Sequence, residues 1–175
     1  MATYYAQITD EQADLIREAR VFFIASADPT LAAGPHGIGP VNLSPRGGVP
    51  LHILSPKRVA FLDYEGSGNE TARHAKAHGP VTIMVCSFEE DNTAIVRLYG
   101  HAYVTPLANS PLAELLLQHP ASELRSKPRQ VVEVAVERTI TSCGYGVPVM
   151  KFIRDRQVGD RGRRYKGSTA SEAAE

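Results

Sequence analysis

The sequence predicts a mainly β fold, a closed or half-closed antiparallel barrel in one domain with a few flanking helices. Three observations point there. About seven short runs are rich in β-branched and aromatic residues, the early runs are separated by glycine- and proline-bearing turns, and only three segments show helical spacing with caps. Strands joined by such short turns pair antiparallel, because a parallel return needs a crossover of roughly a dozen residues. A length of 175 residues with 43% hydrophobic content suits one domain with one sizeable core.

Taken in order, Thr9 and Gln12 form a capping box, and Leu15, Ile16 and Ala19 recur at helical spacing, so a helix runs to Arg20. Val21–Ala27 is a strand that enters a loop bearing Gly34, Pro35, Gly37, Gly39 and Pro40. Val41–Ser44, Leu51–Leu54 and Arg58–Asp63 are strands of a meander, separated by Pro45-Arg46-Gly47-Gly48 and Ser55-Pro56-Lys57. Ser67 and Glu70 offer a second capping box for a helix over Asn69–His78, which Gly79-Pro80 ends. Val81–Ser87 is an apolar strand. Ala94–Val104 is a long one, with Gly100 placed for a bulge. Ser110-Pro111 starts a third helix through Leu117, and Val131–Val136 and Arg138–Ser142 complete the sheet. The domain is expected over residues 1–153, with a basic and polar tail over 154–175.

Charge narrows the function classes. The 19 basic and 19 acidic side chains cancel, so no whole-protein field draws the chain to nucleic acid or anionic lipid, and any anion must be held locally. No window approaches the roughly 20 apolar residues of a membrane-spanning helix, and Met1–Asp10 lacks a basic-then-apolar leader, so a cytoplasmic protein is expected. Cys86 and Cys143 have no CxxC spacing and read as small buried hydrophobes. Glu70, His74 and His78 lie at four-residue steps, a spacing that reads as a solvated polar face before it reads as a metal site. The arginines between Arg154 and Arg164 lack interleaved aromatics apart from Tyr165, which fits a solvated tail or a strap over a partner better than a nucleic-acid surface.

The most informative stretch is VAFLDYEGSGNETARHAKAHGPVTIMV, residues 59–85, where a strand, a glycine turn, a capped helix and a second strand follow one another. A helix start presents unpaired N–H groups, so Ser67, Gly68, Asn69 and Thr71 are placed either to surround a phosphate or simply to cap their own helix. Gly66-Ser67-Gly68 lacks the third glycine of a dinucleotide fingerprint, and the preceding turns are too short for its parallel strands.

VAFLDYEGS, the helix after it, VTIMV, and the earlier VNLSPRG together resemble the pyridoxamine 5'-phosphate oxidase-related family of FMN-binding split barrels, over Ile8 to about Val104. The later TSCGYGVP is similar to the C-terminal end of an uncharacterised branch. The resemblance implies a six- to seven-stranded Greek-key split barrel working as a homodimer, with FMN touching both chains. It implies that Asn42, Ser44, Arg46 and Gly47 line the flavin, with Arg46 the best cation for its phosphate. Asp63 lies at the end of the strand passing the ring and ribityl chain. Ser67, Gly68 and Asn69 fall where the oxidases have a Ser-Arg-Lys triplet, a departure that leaves Arg46, the helix start and Thr71 or Arg73 to hold the dianion.

Arg97 matches a strand supplying a polar contact from the facing side, although a solvent-facing position or an interface salt bridge would also explain it. Tyr145, between two glycines, suits either stacking on the ring system or packing over a barrel end. The oxidases' C-terminal Arg-x-His and tryptophan are absent, so oxidation of pyridoxine phosphate is not the first expectation. The resemblance instead implies FMN-dependent oxidoreduction of another small molecule, with electrons from a nicotinamide nucleotide or the substrate and no catalytic side chain named. A non-catalytic flavin or haem binder, or a deazaflavin reductase, is the alternative.

Overall fold

The computed structural model describes residues 2–37, 39–66, 68–118 and 127–156. Eight strands appear there: β1 (Thr3–Tyr5), β2 (Val21–Ala27), β3 (Val41–Gly47), β4 (His52–Ser55), β5 (Arg58–Tyr64), β6 (Pro80–Cys86), β7 (Ala94–Pro106) and β8 (Pro128–Cys143). Three α-helices accompany them: α1 (Asp10–Glu18), α2 (Glu70–Lys76) and α3 (Ala113–Leu117). All strand pairs are antiparallel, in the order β3-β2-β6-β7-β8-β5-β4. β5 takes the first half of the free side of β8, and β1 pairs with its second half. β3 and β4 end the path without pairing to each other, so the barrel is split rather than closed.

The described residues form eight strands rather than six to seven, and two elements depart locally from the sequence reading. β1 is three exposed residues with no apolar alternation to betray it. β3 continues through Pro45 to Gly47, where the sequence predicts a turn, because an edge strand tolerates a proline that cannot donate to a ladder. In compensation, the two last predicted strands are one. β8 runs unbroken through the charged pair Glu137-Arg138 because the register slips there, Tyr99 facing Arg138 and Gly100 facing Val136. The bulge expected at Gly100 is present, and the close backbone approach there requires glycine: a Cβ at that position would lie 1.8 Å from the Ala135 carbonyl oxygen.

The core is built by period-two burial. Phe22 and Ile24 of β2, Ile83 of β6 and Leu98 of β7 point inward, while all of Val59–Asp63 on β5 is buried. Phe61 meets Phe22 edge-on at 5.2 Å between ring centroids. α1 shows both hydrogen bonds of its capping box, Gln12 N–H to Thr9 Oγ1 and Thr9 N–H to Gln12 Oε1, and it buries Leu15 and Ile16. α2 ends as expected before Gly79-Pro80. His78 takes the left-handed conformation at φ 59°, and a Cβ on Gly79 would strike the Ala27 carbonyl at 1.9 Å.

Among the described residues no helix is long and apolar enough to cross a membrane. Both cysteines are free, but only Cys86 is buried, its thiol pushed up by desolvation. Cys143 ends β8 beside Gly144 and is exposed, contrary to the expectation of two buried thiols.

Candidate functional site

Strand register gathers the site. Ser26 pairs with Asn42, Ile24 with Ser44 and Phe22 with Arg46, so these three β3 side chains share the inner face that carries the core side of β2. From there they reach β5 and α2, neither of which is a sheet neighbour of β3. Side-chain polar contacts thus span the split where backbone ladders do not.

Asp63 is the centre of this corner, with its side chain only 3% exposed. Its Oδ2 accepts from Arg129 Nε at 2.8 Å and from Gln130 Nε2 at 2.8 Å, while Arg46 Nη1 stands 3.0 Å from Oδ1. That last approach is an ion pair without hydrogen-bond geometry. Asp63 Oδ1 and Arg46 Nε are the buried side-chain polar atoms left without a hydrogen-bond partner among the described residues. Two guanidiniums therefore face one carboxylate, with Arg46 stacked 5.8 Å above the Phe61 ring and both arginines about a quarter exposed. The formal charges of these three side chains sum to plus one, with the Glu70 carboxylate close by at Gly68.

Arg129 and Gln130 were missed by sequence reasoning. They immediately precede the apolar run of β8, and only the pairing of Asp63 with Gln130 across β5 and β8 reveals them. Arg129 Nη2 also donates to the Gly68 carbonyl at 2.8 Å, and Gln130 Nε2 to Asn69 Oδ1 at 2.9 Å. That explains why Asn69 precedes α2 but makes no side-chain cap bond, against expectation: its side chain is drawn across to β8. Ser67, and with it the second capping box, lies outside the described residues.

Around this centre, Asn42 Nδ2 donates to Ser44 Oγ at 3.1 Å and to Thr71 Oγ1 at 3.2 Å, joining β3 to α2. Gly47 stands apart at the end of β3 opposite Val21. Arg97 also stands apart. It pairs with Met84 on the outward face of the sheet, opposite in parity to Arg46, and donates to Ser142 Oγ at 3.0 Å. Tyr145 is 85% exposed.

Arg73 is not placed at this corner, although the sequence offered it as an aid to Arg46. Its guanidinium donates to the Ala32 and Gly39 carbonyls and lies 3.9 Å from Asp28, which ties α2 to the loop between β2 and β3. His74 is fully buried beside it, with Nδ1 2.8 Å from Ser26 Oγ and Nε2 2.8 Å from the Gly39 carbonyl. Because His74 turns inward and His78 outward, the four-residue series from Glu70 does not share a solvated face. Asp28 anchors the same loop. The Thr30 hydroxyl, then the Ala32 and Thr30 N–H groups, hold its carboxyl below the usual carboxylate range. A separate cavity of about 480 Å³ lies between α1 and residues 48–53 and contains none of the residues of the polar corner.

The model of the pyridoxamine 5'-phosphate oxidase family matches residues 8–143. The pyridoxamine 5'-phosphate oxidase family protein ustO of Aspergillus flavus is 29% identical over 163 residues, 91% of this chain, and the chain spans 61% of that relative's length. Among solved structures, HupZ of Group A Streptococcus superposes with a TM-score of 0.55 at 18% identity, covering 75% of this chain and 91% of the other. An FAD-binding protein of Mesorhizobium loti superposes with a TM-score of 0.50 at 13% identity, covering 81% and 97%.

Proposed function

Because the chain belongs to the pyridoxamine 5'-phosphate oxidase family, we propose that it binds FMN at the polar corner between β3, β5 and the N-terminal end of β8, and uses it in the oxidoreduction of a small molecule. The observation that carries this is the convergence of Arg46 and Arg129 on Asp63, with Asp63 Oδ1 and Arg46 Nε buried and unsatisfied. A buried acceptor and a buried donor without partners are costly by about 1–3 kcal/mol each. Both guanidiniums keep about a quarter of their side-chain surface exposed, and the phosphate of FMN would meet that charge. That a protein of this fold from Mesorhizobium loti binds FAD supports a flavin as the class.

The residues divide the work by chemistry. Arg46 presents charge to the phosphate, and Asn42, Ser44 and Thr71 offer donors and acceptors along the inner face to a polyol chain. When bound, the flavin ring supplies hydride acceptance, while the chain supplies position and polarity.

A homodimer completes the proposal. Val41 and Leu43 on edge strand β3 are 62% and 67% exposed, on the same outward face as Phe23, Met84 and Arg97, and an exposed apolar edge strand calls for cover. A second copy would bring that face, with Arg97, against the flavin of the first. The soluble cytoplasm, where FMN and nicotinamide nucleotides are both present, is the proposed location.

The visible spectrum of the purified protein tests this. Two flavin bands that bleach on reduction are expected, with FMN released on denaturation and identified by its mass. A Soret band, or a colourless protein that takes up no FMN at micromolar concentration, would overturn it. Arg46→Ala is expected to weaken FMN binding about 10- to 100-fold, for the loss of a charge-assisted contact of roughly 1.5–3 kcal/mol. Arg73→Ala, which loosens a loop instead, should weaken it less. Equal losses, measured by equilibrium dialysis, would remove Arg46 from the phosphate.

A further inference from the structure

We propose that Arg129, at the start of the longest strand, is the principal phosphate-gripping residue of this corner, and that Asp63 is the internal counter-ion that aims it. This rests on the flavin reading for the identity of the ligand, but its geometry stands on the corner itself. Arg129 reaches Asp63 through Nε at 2.8 Å and the Gly68 carbonyl through Nη2 at 2.8 Å, which fixes the guanidinium plane from two directions. Two of its five N–H groups are engaged in this way. The remaining three have no hydrogen-bond partner among the described residues, and the side chain is 24% exposed. A planar fork held rigidly, with donors to spare, matches the oxygens of a phosphate.

Arg46 supports the same site differently. It stacks on Phe61 and pairs with Asp63 without a hydrogen bond, so its aim is set less tightly than that of Arg129. Asp63 holds the two like charges of Arg46 and Arg129 together without neutralising both. The ligand class is therefore a phosphate monoester, with the phosphate on Arg129. The same chemistry would take a free sugar phosphate, so the test separates phosphate from flavin.

The experiment compares wild type with Arg129→Gln and Arg129→Lys, and uses Arg58→Gln, which breaks an exposed pair with Glu133 on the sheet's far end, as a control. Binding of FMN and of riboflavin is measured by equilibrium dialysis, and thermal stabilisation by inorganic phosphate is measured without flavin. Arg129→Gln is expected to lower FMN affinity at least tenfold while riboflavin affinity stays within twofold, and to abolish stabilisation by phosphate. Arg129→Lys, which keeps the charge but loses the tie to Gly68, should fall between Gln and wild type for FMN. Should Arg129→Gln fail to fold, Arg129→Lys carries the comparison through its ratio of FMN to riboflavin affinity, expected to drop at least threefold. Parallel loss of FMN and riboflavin, a lysine variant no better than glutamine, or unchanged FMN affinity would overturn the assignment. A wild type that binds neither flavin, yet is stabilised by phosphate in an Arg129-dependent way, would sink the flavin reading and leave this site standing. Phosphate stabilisation indifferent to Arg129, in a protein that binds neither flavin, would sink both.

Discussion

Replacing Asp63 with alanine is expected to destabilise the flavin-free protein by about 3 kcal/mol, which for a chain of this size lowers the thermal midpoint by roughly 6–12 °C. The carboxylate is 3% exposed and bonded to Arg129 and Gln130, with Arg46 alongside. Its removal strands two guanidiniums in one partly buried corner. Breaking a buried ion pair from one side typically costs about 3–5 kcal/mol, and the lower end applies because both arginines keep about a quarter of their surface in water. Adding Arg46→Ala to Asp63→Ala should then cost less than Arg46→Ala does alone, since the second change relieves repulsion left by the first. Chemical denaturation of the four proteins in this cycle measures the coupling. A value near zero would mean that the corner is not an electrostatic unit, and the case for an oxyanion site there would lose its main support.

The second large effect is steric. Gly100→Ala should destabilise the protein by about 3 kcal/mol or more, because the added methyl would sit 1.8 Å from the Ala135 carbonyl oxygen and 3.3 Å from Val136 Cα, both backbone atoms that no rotamer change can move. Relief requires undoing the bulge that lets β7 and β8 stay paired along their length. Gly146→Ala, where nothing lies within 4 Å, should change stability by no more than about 0.5 kcal/mol. Thermal melts of the two variants side by side decide it. A Gly100→Ala protein as stable as Gly146→Ala would show that the bulge is not needed.

The two sites are connected. The slip at Gly100 sets the register along which β8 continues, and β8 carries Arg129 and Gln130 to the end of β5, opposite Asp63. A loosened β7–β8 ladder is therefore expected to disturb the corner as well as the core.

Local chemistry was legible without a structure. The capping box of Thr9 and Gln12, strand Val21–Ala27 to the residue, the stop at Gly79-Pro80 and the bulge at Gly100 each depend on a few neighbouring residues, and each appears where the sequence placed it. Of the residues named from the sequence, Arg46 pairs with Asp63, and Asn42 bonds to Ser44 and Thr71. What the chain could not disclose on its own was anything set by register between distant strands. Arg129 and Gln130 lie more than sixty residues from Asp63, Asn69 gives up its local cap to Gln130, and Arg97 falls on the opposite face because strand parity, not residue type, decides which way a side chain points. Short-range forces act between residues whose separation is written in the sequence. Long-range partners are chosen by the pairing of whole strands, a collective outcome that only the folded arrangement fixes.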